Sequence, residues 1–101
     1  MNNQCIVEAF LYPKSGKAEE ILTFLKGRGF EVFAGLGGHK TSLIFDKKGE
    51  VIQISAYFPN YNLAKKFVDS DEWNSICKHL KENSSSQCKC EIFDIVCEDV
   101  A

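Results

Sequence analysis

The sequence predicts an α+β domain in which one antiparallel sheet of four strands carries two helices on one face. Three observations point there. β-rich and helix-periodic segments alternate in the order β-α-β-β-α-β. Short turn signals separate them, with no internal repeat, linker or low-complexity tract. Finally, one side of the strands is apolar throughout, as a face lying under helices must be.

The elements follow in order. Cys5 to Tyr12 (CIVEAFLY) is β-rich and is stopped by Pro13. Ser15 is placed to cap a helix over Lys17 to Lys26, where Ala18, Ile21, Leu22 and Leu25 recur at helical spacing, and Gly27 and Gly29 are expected to end it. Gly35-Leu36-Gly37-Gly38 reads as a turn. His39 to Asp46 is the second strand, with Leu43 and Phe45 on one side, and Lys47-Lys48-Gly49-Glu50 is a hairpin turn into the third, Val51 to Phe58. Pro59-Asn60 breaks that strand. Leu63, Ala64, Phe67 and Val68 then form an amphipathic helical stretch. Asp69-Ser70-Asp71-Glu72 is read as a capping box with Asp69 as the cap, opening a helix whose stripe is Trp73, Ile76, Cys77 and Leu80. A polar loop, Asn83 to Gln87, leads to a last strand over Cys88 to Cys97. The order is the ferredoxin-like split βαβ pattern, a single domain over residues 1–101.

The strand faces carry a second inference. Val7, Ala9 and Leu11, then Ile52, Ile54, Ala56 and Phe58, then Phe93, Ile95 and Cys97 are expected to lie under the helices. The opposite face is expected to mix Ile6, Phe10, Tyr12, Val51, Tyr57, Cys90, Ile92 and Val96 with Glu8, Gln53, Ser55 and Asp94. It is too apolar for a wet face and too polar for a core. Such a face marks a subunit interface, so a homodimer with sheets packed together is expected.

Composition narrows the function classes. Apolar residues at 45% and charged residues at 26% fit a folded globular chain rather than a disordered one. A net charge of −2 with scattered basic residues argues against a nucleic-acid partner. The sheet also lacks the basic-glycine-aromatic signature of RNA-binding domains of this topology. No apolar run approaches the ~18 residues of a membrane span. Met1-Asn2-Asn3-Gln4 has neither the charged nor the apolar region of a signal peptide, and five cysteines, an odd number, suit a reducing compartment; a cytoplasmic location is expected.

Taken together, Gly16-Lys17-Ala18-Glu19-Glu20, Gly35-Leu36-Gly37-Gly38, Phe67-Val68-Asp69-Ser70-Asp71-Glu72-Trp73 and Cys77-Lys78-His79-Leu80 resemble the antibiotic-biosynthesis-monooxygenase (ABM) group of dimeric α+β barrels. That group includes cofactor-independent quinol-forming oxygenases and haem-degrading enzymes. The resemblance implies a dimeric barrel with a hydrophobic ligand cavity between helices and sheet. In the haem-degrading branch it implies an Asn on the first strand and a Trp and a His on the second helix. Here Val7, Phe67 and Cys77 stand at those positions. The iron-ligating His is therefore missing, although a Cys77 thiolate is a chemically competent ligand for ferric haem. His79 lies two residues on, about 200° around the helix, and does not replace it.

The candidate site residues each have two readings. Trp73 can stack on a flat ligand in a helix–sheet pocket or fill the core, and Phe67 likewise. His79 suits acid–base work near neutrality, or is a helix-surface His favoured by a C-terminal dipole. Cys77, Val7 and Ala9 would line the same pocket. Cys88 and Cys90 share a strand face, but no further ligand spacing completes a zinc site; no metal and no cofactor are expected. Gly35 to Gly38 lacks the Lys-Ser/Thr ending of a phosphate loop. Glu8 and Asp94 are expected to be neighbours on the sheet.

Two functions follow. One is a cofactor-independent monooxygenase acting on a flat hydrophobic molecule such as a quinol, with His79 and Trp73 converging on the substrate anion. The other is a non-catalytic small-molecule-binding or structural dimer of the same fold. A haem-binding protein without the usual axial His is a further alternative.

Overall fold

Strand formation is set by alternation of apolar residues in the two central strands. In β1 (Cys5–Leu11) the residues Cys5, Val7, Ala9 and Leu11 are buried, and in β3 (Val51–Phe58) Ile52, Ile54, Ala56 and Phe58 are buried. The computed structural model describes residues 4–46, 48, 51–84 and 89–97. The remaining elements are α1 (Ala18–Phe24), a π-helical segment (Leu25–Gly29), α2 (Phe30–Gly35), β2 (Lys40–Asp46), α3 (Tyr61–Val68), α4 (Asp71–Lys81) and β4 (Lys89–Asp94). The sheet order is β2-β3-β1-β4 with every neighbouring pair antiparallel, the ferredoxin-like arrangement expected. The buried sheet face and the buried residues of the helices form one contiguous core.

The first helical body runs without a break from Ala18 to Gly35, so Gly27 and Gly29 do not end a helix. Glycine costs about 1 kcal/mol in a helix interior. Burial of Leu22, Leu25, Val32 and Phe33 along one side outweighs that. The chain accommodates the two glycines as a π segment, a wider turn inserted in the helix. Ser15 is not the cap either: Lys17 occupies the cap position, without a side-chain hydrogen bond. The Gly35–Gly38 turn is present. Gly37 has φ +98°, and a Cβ on Gly38 would meet the Phe33 carbonyl oxygen at 2.8 Å, the oxygen that accepts Gly38 N–H.

Asn60 caps α3, its Oδ1 accepting from Leu63 N–H at 2.9 Å. At α4 the cap is Ser70 rather than Asp69: Ser70 Oγ accepts from Trp73 N–H at 3.1 Å and donates to the Phe67 carbonyl at 2.7 Å. Asp69 instead ends α3, where its N–H bonds the Lys65 carbonyl. The cap is thus one residue later than the box pattern suggested, because α3 takes Asp69 first.

β4 corrects the sequence reading most. Val7 pairs with Ile92, Ala9 with Cys90 and Cys5 with Asp94, so Cys90, Ile92 and Asp94 share the helix side, and Glu91 and Phe93 lie on the open side. The expected assignment, Phe93 with Ile95 and Cys97 under the helices and Cys90, Ile92 and Asp94 on the open face, is reversed, and Ile95 and Cys97 lie past the strand end. Glu8 therefore faces Glu91, not Asp94. Strand four mixes apolar and charged residues at both parities, Cys90 and Ile92 with Asp94 on one and Phe93 with Lys89 and Glu91 on the other, so it lacks a clean apolar face; pairing with β1 settles the matter. The Lys47–Glu50 turn, except Lys48, and Ser85 to Cys88 lie outside the described residues.

Candidate ligand site on the helix side

The predicted pocket residues split into two places. Val7, Ala9, Phe67 and Trp73 are all within the core. Phe33, Phe58, Phe67 and Trp73 pack ring to ring, with Phe33–Phe67 at 4.9 Å, Phe67–Trp73 at 5.0 Å and Phe58–Phe67 at 5.2 Å between centroids. These contacts occupy the space between α4 and the sheet where a flat ligand was expected. Val7 and Phe67, which stand where the haem-degrading branch has an Asn and a Trp, are both part of this packed interior. Cys77 is half-buried beside this core.

His79 lies elsewhere. It is exposed on α4 and stacks on Phe24 of α1, with ring centroids 4.2 Å apart and planes 26° from parallel. Trp73 and His79 therefore do not converge. Around the stacked pair runs a groove of about 460 Å³ lined by Phe24, Arg28, Glu72, Ser75, Ile76 and His79. Its apolar floor is Phe24 and Ile76, and its rim is a guanidinium, a carboxylate, a hydroxyl and an imidazole. Arg28 pairs only loosely with Glu31, Nη1 to Oε2 at 3.7 Å on the exposed surface, so its donors remain available to a ligand. The arrangement offers a flat molecule a stacking surface with both a proton acceptor and hydrogen-bond donors at its edge.

The sequence reading named His79 but missed Phe24, Arg28 and Glu72. Phe24 and Arg28 stand four apart, a spacing that puts them on one helix face. Reading Gly27 and Gly29 as a helix end hid that signal. A second groove, also about 460 Å³, opens between the first helical body and β2, lined by Leu22, Lys26, Phe30, Leu43 and Phe45. The helix–sheet opening thus lies under the first helix rather than under α4.

The helix side of the sheet is not wholly apolar. At the Cys5–Asp94 pair the thiol donates to Asp94 Oδ1 at 3.2 Å. Burial first, and then the adjoining carboxylate, push the Cys5 thiol up to about 11. It is a poor nucleophile. Among the described residues no three His, Cys, Asp or Glu side chains gather as a metal-binding group, and no helix is long and apolar enough to cross a membrane.

No protein-family model and no curated protein matches the sequence. Solved structures do match. A provisionally named antibiotic biosynthesis monooxygenase from Caulobacter crescentus superposes with a TM-score of 0.78 at 18% identity, over 94% of this chain and 92% of that one. Another of the same provisional name, from Nitrosomonas europaea, gives 0.77 at 7% identity over 95% and 93%. A conserved protein from Methanosarcina mazei gives 0.76 at 16% identity over 91% and 92%. At these identities the likeness speaks for the backbone alone. The chain has the α+β fold of the antibiotic-biosynthesis-monooxygenase group.

Proposed function

We propose that this chain is a homodimeric ABM-type protein that binds a flat hydrophobic molecule in the groove at His79, and that the chemistry it offers there is cofactor-independent oxygenation of an electron-rich phenol such as a quinol. The observation that carries the reading is the Phe24–His79 stack, flanked by Arg28 and Glu72 over Ile76. His79 takes the phenolic proton. The electron-rich anion then adds dioxygen at a ring carbon, and the resulting hydroperoxide loses water to leave the quinone. One substrate and one dioxygen thus give one quinone and one water. Arg28 stabilises the phenolate.

Dimerisation is supported by the open face of the sheet. There Phe93 is 45% exposed, and Phe10 at 44%, Tyr12 at 45% and Ile44 at 52% stand around a shallow hollow of about 270 Å³. A soluble monomer rarely leaves such a patch bare.

The test is oxygen consumption above autoxidation with a panel of quinols and phenols, together with binding measured by calorimetry. His79→Ala should lower turnover by about a hundredfold or more while retaining binding. The filled aromatic interior favours a second reading, a binding or structural dimer without chemistry. Saturable binding in the groove with no oxygen uptake would select it, and no binding at all would reject the ligand site.

A further inference from the structure

The groove beside β2 differs in kind from the one at His79. Four of its five lining residues, Leu22, Phe30, Leu43 and Phe45, are apolar, and the fifth is Lys26. Leu22, Lys26 and Phe30 lie at four-residue intervals along the first helical body, while Leu43 and Phe45 are alternate residues of an edge strand. The walls are therefore two parallel rows, and the groove is open along the edge of the sheet. The π segment starts at Leu25, so the wider turn falls at Lys26. Such turns recur where helices meet ligands. Lys26 is exposed and forms none of the ion pairs found among the described residues, whose cations are Lys17, Arg28 and Lys65. Its aliphatic stem can cover the apolar walls while the ammonium stays at the rim.

We infer that this groove binds a single-chain anionic amphiphile, a medium-chain carboxylate, with the tail between the two apolar rows and the carboxylate on Lys26. Its volume of about 460 Å³ is within the range of small-molecule sites. Charge complementarity selects the head group: one unpaired cation and no lining acid. The net charge of −2 argues against an anionic membrane surface as the source of that head group, leaving the free carboxylate. The inference is independent of the His79 site.

The experiment is calorimetric titration of the intact protein with decanoate, below its micellar concentration, and with decanol as the neutral counterpart. Backbone amide NMR shifts locate the binding. One decanoate per chain should bind, roughly fivefold more tightly than decanol, a factor typical of one exposed ion pair. Lys26→Gln should make the two ligands equal, and Lys26→Glu should make decanol the better one. Both substitutions are on the exposed surface, and an unchanged thermal midpoint will report an intact fold. Shifts should cluster at Phe30, Leu43 and Phe45. Three results overturn the inference: no binding of either ligand, a decanoate preference that survives Lys26→Gln, or shifts centred on His79 with loss in Arg28→Gln.

Discussion

The two faces of this sheet are built from the same strands, one residue out of step, and they end in opposite states. On the helix side of β1 and β3, Cys5, Leu11, Ile52, Ala56 and Phe58 are wholly buried beneath aromatic rings from three helices. On the open side Phe10, Ile44 and Phe93 stay roughly half exposed among Glu8, Gln53, Ser55 and Glu91. Local strand propensity is alike on both. The difference teaches that alternation alone yields two candidate cores, and that the chain's own helices are used up on one of them. The second face is left without a covering layer from the described part of the chain.

The comparison breaks most sharply at Phe67. Phe67→Ala, which removes a ring in contact with Phe33, Phe58 and Trp73, should cost about 3–5 kcal/mol in a urea unfolding titration. That is a large share of the 5–15 kcal/mol typical of a domain. A loss under about 1 kcal/mol would mean that the aromatic interior is loose, and would restore a ligand cavity there.

On the open face the same measurement should respond little to Phe93→Asp, while the association state responds strongly. Light scattering should show the dimer weakened by at least thirtyfold, the scale of an interface hot spot. A wild-type chain that is monomeric at high concentration would end the dimer reading.

The smallest effect sharpens the edge between the faces. Cys5 is protonated in the fold to about pH 11 against an ordinary thiol value of 9.0, so the folded state holds a proton that the unfolded chain releases first. Its stabilising contribution is complete below pH 9 and fades as pH rises from 9 to 11. The urea midpoint should fall over that window, and less steeply in Cys5→Ala. In thiol labelling at pH 8, exposed Cys97 should react before Cys5.

The sites were legible to different degrees. His79 was visible as a titratable side chain, and Trp73 and Phe67 as large rings on apolar stripes. Whether those rings surround a void or touch one another depends on side chains from Phe33 and Phe58, distant in sequence. Phe24 and Arg28 were obscured because two glycines are a local stop signal, whereas the helix continued under the pull of Val32 and Phe33. The cap moved from Asp69 to Ser70 because two helices share that short connection, and only one can use Asp69.

By itself the sequence determined the order of elements, the faces of β1, β2 and β3, the turn at Gly37-Gly38, and a second sheet face that mixes apolar with polar residues. Each follows from periodicity or from backbone chemistry within a few residues. The tertiary structure alone decided the face of β4, the partner of Asp94, the filled aromatic interior and the two grooves beside the first helix. A strand with charged residues at both parities is assigned by its neighbour, and a cavity is whatever space the packed side chains leave.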